Sequence, residues 1–261
     1  NQVLGFDPRT VSLVLIGAMV IDALVDPLIG RLSDATRTRF GRRLPWLYGA
    51  AVPMAIAWAL LWMSPDIAAH STLGLILNVV AVRILVSACE IPSISLVAEL
   101  TRDALRNMDR YIAASQVLIA GASYRQDVGD TRYSGSELVV RKLAEMGAEM
   151  RAHDPYVEQW WEFAEQDKYP ASGLSWKRFF RNQDELTDLQ VESDLPLALK
   201  GVDALILAVP HDAYRQLTPE QVVAWAGRPI AVIDCFGMLD DATIARYFEL
   251  GCEVKGLGRG H

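Results

Sequence analysis

Residues 11–43 read VSLVLIGAMVIDALVDPLIGRLSDATRTRFGRR. From Val11 to Leu32 the run is largely apolar and carries no charge but Asp22, Asp26 and Arg31, and Arg37, Arg39, Arg42 and Arg43 follow it. A bilayer core requires about 20 such residues of helix. Two more apolar segments follow, 44–64 and about 72–98, joined by short polar stretches such as Pro65-Asp66 and His70-Ser71. The second carries no charge at all. Three segments of this kind in succession predict three membrane helices rather than a buried soluble bundle. The arginines between Ser33 and Arg43 place that loop in the cytoplasm by the positive-inside rule. The first helix then runs inward, the second outward and the third inward, so the chain beyond Leu100 starts on the cytoplasmic side.

Carboxylates inside a membrane helix are costly and mark ion or substrate paths. Asp22 and Asp26 are four residues apart and share a helix face. Glu90 lies inside the third segment, at a similar depth when counted from the cytoplasmic ends at about 1.5 Å per residue. Three such groups suit a small cation or shared protons. The alternative is that they pair with Arg83, which lies in the same third segment. Pro27 and Pro92 closely follow two of the acids, and each removes a helical hydrogen bond and frees a carbonyl oxygen.

DALVDPLIGRLSDATRTRFGRRLPW (22–46) and CEIPSISLVAELTRD (89–103) resemble the glycoside–pentoside–hexuronide cation symporters, the melibiose-carrier branch of the major facilitator superfamily. The resemblance, taken over residues 1–105, implies that Asp22 and Asp26 are ligands for Na⁺ or H⁺. It places Glu90 where the family has an acid serving both cation and sugar. Such carriers have about twelve helices, and these three resemble the second to the fourth. Because the chain opens on Asn1 rather than Met, a fragment or a processed chain is expected.

The remaining sequence is of another kind. Residues 1–110 hold ten Lys/Arg and nine Asp/Glu, residues 111–261 hold fifteen and 23, so the net charge of −7 divides into +1 and −8. An acidic second half argues against nucleic acid as a partner. The three cysteines, at 89, 235 and 252, show no metal-ligand or Cys-x-x-Cys spacing, which suits reduced thiols in a cytoplasmic setting. After a polar junction at 106–116, short continuous apolar runs (Val117–Ala120, Glu149–Ala152, VDALILAVP, PIAVIDCFG) alternate with helical spacing at Ser136–Met146 and Pro219–Ala226. That alternation predicts a Rossmann-like α/β domain with a parallel sheet over 117–261. About 150 residues can bury a core, so residues 111–261 are expected to fold alone. The fold class of the whole is therefore mixed: three transmembrane helices, then an α/β domain.

GASYRQDVGDTRYS (121–134) followed by AHDPYV (152–157) resembles the C-terminal domain of the UDP-glucose/GDP-mannose dehydrogenases. In that family this domain grips the nucleotide of a sugar substrate, and NAD binds an upstream domain. The resemblance implies that Arg125, standing where the family has lysine, and the pair Asp130 and Arg132 contact a UDP-sugar. Asp130 and Arg132 could instead brace the loop as a salt bridge. The family's late arginine has no counterpart in DCFGML (234–239), and its nucleophilic cysteine and dinucleotide fingerprint belong to upstream domains. No catalytic residue is assigned, and the chain alone is expected to be inactive. The expected setting is the inner membrane, with the α/β domain in the cytoplasm. The expected partners are the lipid bilayer, a nucleotide sugar, and the remaining carrier or dehydrogenase domains supplied in trans. The parent function is read as nucleotide-sugar binding for an NAD-dependent dehydrogenase, or as cation-coupled sugar transport. A membrane-anchored binding module without turnover is the third reading.

Overall fold

The computed structural model describes residues 8–39, 42–63, 72–166 and 183–257. It divides into two compact units, the first ending at Ser93 and the second beginning at Ile94.

The first unit is helical. Helix α1 spans Pro8–Ala35, α2 spans Leu44–Met63, and α3 spans Thr72–Asn107, its last turns belonging to the second unit. Three stretches within these helices are long and apolar enough to cross a membrane: Val11–Ala35, Leu44–Leu61 and Ile76–Asn107. Leu13, Ile16, Val20, Leu24, Val52 and Ile56 are exposed, as expected of a surface that meets lipid instead of water. The helices run through Pro27, Pro53 and Pro92, each of which removes the N–H that would reach the carbonyl four residues back. A small apolar cluster of Ile29, Ala50 and Ala88, with Trp46, Leu85 and Ile91 against it, joins the three helices. The turn after α1 is braced by Arg43, whose guanidinium is buried and donates to Ser33 Oγ and to the Asp34 carboxylate. Trp46 Nε1 donates to Thr36 Oγ1 at 2.9 Å beside it.

The second unit is a doubly wound α/β fold. Strand β1 (Gln116–Ala120) leads through a long loop to α4 (Gly135–Glu145), and β2 (Glu149–His153) follows. Then come a helical turn α5 (Trp161–Ala164), β3 (Val191–Glu192), α6 (Leu195–Leu199) and β4 (Ala204–Leu207). The chain continues through α7 (Asp212–Arg215), α8 (Pro219–Ala226), β5 (Ala231–Asp234), α9 (Asp241–Glu249) and β6 (Glu253–Gly256). Every strand pairing is parallel, in the order β3-β2-β1-β4-β5-β6. This is the Rossmann order, with its switch point between β1 and β4.

Strands β1, β4 and β5 are buried on both faces, hence their unbroken runs of Val, Leu, Ile and Ala. Val117, Ile119, Ile206 and Ile233 face one layer, in which α4 supplies Val140 and Leu143 and the end of α3 supplies Val97, Ala98, Ala104 and Leu105. Leu118, Leu205, Leu207 and Val232 face the other, formed by α6 to α9 with Leu199, Tyr214, Val222 and Tyr247. Helix starts follow their caps: Thr218 and Gln221 form a reciprocal box on α8, and Asp240 accepts from Thr243 N at 2.7 Å on α9. The segment between α3 and β1 is part of the fold. Arg110 donates to the carbonyls of Asp203 and Pro229 and pairs with the Asp203 carboxylate, which also accepts from Gln116 N.

Candidate functional site

In an open parallel sheet, ligands meet the loops at the carboxyl ends of the strands. Here the loop from β1 to α4, residues 121–134, runs over that end. It starts at Gly121, whose φ is +109° and whose Cβ, were there one, would lie 2.5 Å from Val209 Cβ. Only glycine tolerates that backbone and that approach. The loop closes on itself through Tyr124 N to Asp130 O at 2.8 Å and Ser134 Oγ to Ser123 O at 3.0 Å.

Beneath the loop lies a buried polar cluster made from the ends of three strands. Asp154, just past β2 and 1% exposed, accepts from Ala122 N, Ser123 N and Ser123 Oγ on one oxygen and from Tyr156 N on the other, at 2.8–3.0 Å. His211, past β4, places Nε2 3.0 Å from Ser123 Oγ and 3.2 Å from Asp154 Oδ2. Its Nδ1 accepts from Asp127 N at 2.9 Å. A backbone N–H can only donate, so Nδ1 carries no proton and the imidazole is the neutral Nε2–H form. Ser, His and Asp thus meet, but not as a nucleophilic relay. In such a relay the acid holds one ring nitrogen and the hydroxyl bonds the other. Here both share Nε2, and all three residues are at most 1% exposed. The acid after β2 of a dinucleotide-binding fold holds a ribose; in this protein its lone pairs are spent on the loop. Val209 packs against Gly121 and His211 bonds Ser123, so the loop after β4 meets the β1 loop directly.

The open space lies to the side. A cleft of about 910 Å³ is lined by Gly129, Asp130, Thr131, Arg132, Tyr156, Glu158, Trp161, Glu162 and their neighbours. Its wall is built tightly: a Cβ on Gly129 would meet Tyr156 O at 2.5 Å, and Thr131 Oγ1 donates to the buried Glu162 carboxylate at 2.8 Å. Behind it Arg141 binds Glu137, Gln166, Gln183 and the Glu162 carbonyl, with its guanidinium 4.8 Å over the Phe163 ring. Asp130 and Arg132 line the cleft as a two-pronged pair, Nε to Oδ1 at 2.9 Å and Nη2 to Oδ2 at 2.7 Å. Arg132 holds the Asp130 carboxyl down at about 2 through those bonds. The bracing salt bridge is therefore present, and the Arg132 side chain remains 72% exposed. Arg125 does not line the cleft; it is exposed and lies 5.6 Å over the neighbouring Tyr124 ring. Ser123, Asp127, Asp154 and His211 escaped the sequence reading. The signal was there only as polar residues directly after two apolar runs, His153-Asp154-Pro155 and Pro210-His211-Asp212.

In the first unit, Asp22 lies within α1, and its side chain is outside what the structure describes. Asp26 is half-buried and Glu90 exposed. Gly30 approaches Ile91, where a Cβ would stand 3.9 Å from Cγ2. Asp26 precedes Gly30 by four positions and Glu90 precedes Ile91 by one, so both lie within about a turn of that seam.

Comparison with known proteins separates the same two parts. Residues 1–111 match the family model "MFS/sugar transport protein", and residues 118–241 match "UDP-glucose/GDP-mannose dehydrogenase family, UDP binding domain". The chain is thus a composite, its first part similar to one family and its second part similar to the other. Over its membrane part the composite is 35% identical to an uncharacterized symporter of Synechocystis across 110 residues, covering 40% of this chain and 20% of that one. Over 107 residues it is 28% identical to the UDP-N-acetyl-D-mannosamine dehydrogenase of Methanocaldococcus jannaschii, covering 41% of this chain and 18% of that one. The composite thus spans about a fifth of the length of these curated relatives. The crystal structure of an NDP-N-acetyl-D-galactosaminuronic acid dehydrogenase from Methanosarcina mazei shares the fold, with a TM-score of 0.53 at 20% identity, covering 67% of this chain and 32% of that one. The composite therefore joins three helices of membrane-spanning length to an α/β unit similar to the UDP binding domain of that dehydrogenase family.

Proposed function

We propose that the second unit binds the UDP moiety of a nucleotide sugar along the β1–α4 loop and the cleft beside it. The observation that carries this is the exposed Arg132 side chain in a roomy cleft between the β1–α4 loop and the segment after β2, with Tyr156 and Trp161 also lining it. Arginine suits phosphate oxygens, and the aromatic rims suit a base or a sugar face. Arg125, at the exposed turn of the same loop, adds a second positive charge toward the diphosphate. NAD enters through the family: in it the dinucleotide domain and the nucleophile lie outside this domain, so the second unit by itself is expected to bind a nucleotide sugar without turning it over. The α/β unit lies on the cytoplasmic side.

Calorimetry and NMR on the full chain in nanodiscs test this. UDP at millimolar concentration should shift resonances between Ser123 and Ser134, and Arg132→Ala should weaken binding about ten-fold, the loss of one charge-assisted contact. No response to UDP sinks the site; NADH formation from a UDP-sugar by this chain alone sinks the claim of no turnover. In sealed right-side-out vesicles UDP should bind only after permeabilisation, and binding to intact vesicles would reverse the side assigned.

A second reading attaches to the first unit, on the strength of its family match and its intramembrane carboxylates. As part of a complete carrier, Asp22, Asp26 and Glu90 hold the Na⁺ or H⁺ that drives sugar uptake.

A further inference from the structure

His211 does not itself line the cleft, yet the loop depends on it at an unusual point. Asp127 has φ +55°, a left-handed backbone that costs a non-glycine residue free energy. What holds it there comes from beyond β4. His211 Nδ1 accepts the Asp127 N–H at 2.9 Å, Asp212 N donates to Asp127 Oδ1 at 3.3 Å, and Gln126 Nε2 donates to Asp212 Oδ1 at 3.0 Å. The tip of the β1 loop is thus tied across the switch point to the loop after β4. The His211 tie is the part-buried one of the three, the other two being exposed, since His211 itself is 0% exposed and packs against the Tyr156 and Tyr214 rings at 5.1 and 5.4 Å.

We infer that His211 is a positioning residue for nucleotide binding: its bare Nδ1 fixes the 124–132 loop in the shape that presents Arg125 and Arg132. This rests on the binding site proposed above. The opposite nitrogen does a separate job, its Nε2–H serving Asp154 and Ser123 at the base of the loop. The two jobs can be split chemically. Asparagine places an acceptor oxygen where Nδ1 stands and has nothing at the ε position. Glutamine places a donor nitrogen where Nε2 stands and has no δ acceptor. A role in loop positioning predicts that His211→Gln is the damaging change; simple space-filling favours glutamine, the closer match in size.

The test uses the full chain in nanodiscs, with UDP as the probe and amide hydrogen exchange over residues 124–132 as a ligand-free readout. His211→Gln should speed exchange at the Asp127 amide and weaken UDP binding, each about five-fold, the worth of one net hydrogen bond. His211→Asn should stay within about two-fold of the parent in both, even where its melting temperature falls further. Parent-like behaviour of His211→Gln, or equal losses in the two variants, overturns the inference. A parent chain that fails to bind UDP overturns the site itself, and the exchange rates then decide alone whether His211 holds the loop.

Discussion

A single buried side chain at the end of β2 should make the second unit sensitive to acid. His153 is 3% exposed, and its Nδ1 lies 2.8 Å from the Tyr214 hydroxyl, which itself donates to the His153 carbonyl at 3.0 Å. Burial pushes its pKa below the ordinary 6.5, against smaller opposing effects from a Ser193 backbone bond and the Asp154 and Glu192 carboxylates. A base whose pKa is lower folded than unfolded binds more protons unfolded, so stability rises with pH between the two values. The stabilising contribution is complete above about 6.5 and shrinks as pH falls through that value toward the folded one. Hydrogen exchange at the β2 amides should therefore show the unit weakening from pH 7 to pH 5, with a flatter slope in His153→Asn. An equal slope in that variant would assign the acid sensitivity elsewhere. Cys235 sits at the other extreme: burial and then the adjacent Asp234 carboxylate push its thiol up to about 12, so it behaves as packing and not as a nucleophile.

At the level of elements, the strands were legible and one helix was not. VLIA, ALIL and AVID are continuous apolar runs because their strands are covered on both faces, and the helix at Pro219–Ala226 announces itself by its capping box. Val97 and Ala98 read by composition as the tail of a membrane segment and Ala104 and Leu105 fall in the polar stretch just past it, yet all four are 0–4% exposed against the sheet. Arg102 and Asp103 keep the opposite side polar, paired at 3.0 Å. Apolarity alone does not distinguish a face meant for lipid from one meant for a sheet. The consequence revises where the α/β unit can be cut. A chain starting at residue 111 uncovers Val117, Ile119 and Ile206, at a cost of about 25 cal/mol for each Å² of apolar surface exposed. Residues 94–261 should express as a monomer with dispersed amide resonances, and residues 111–261 should aggregate or bind hydrophobic dyes. Two equally well-behaved fragments would show the helix to be dispensable.

On the scale of the whole molecule, the composite spans about a fifth of the length of each of two kinds of relative. Alternating access in carriers of this superfamily works by rocking one half against the other around a midplane site, and the composite spans 20% of its symporter relative. The cation reading therefore belongs to a complete carrier with these helices grafted in. There, Asp22→Asn and Asp26→Asn should each abolish Na⁺- or H⁺-stimulated sugar uptake, because a neutral amide cannot balance a bound cation. Sugar binding without cation should survive. Uptake with ordinary cation dependence in both variants would make the carboxylates structural.

What the sequence alone determined is everything that local chemistry specifies: three lipid-length apolar runs, a parallel α/β pattern after them, the change of character between, and the β1 loop with its arginines. Tertiary structure decided what depends on which strand ends meet. Ser123, Asp154 and His211 are up to 88 residues apart in the chain and become one hydrogen-bonded cluster only because β2, β1 and β4 are neighbours in the sheet. The tautomer of His211, the separation of Arg125 from the cleft that Arg132 lines, and the double use of α3 follow from the same cause. A residue type states what it can bond, and the packing of distant strands and helices states which partner it is given.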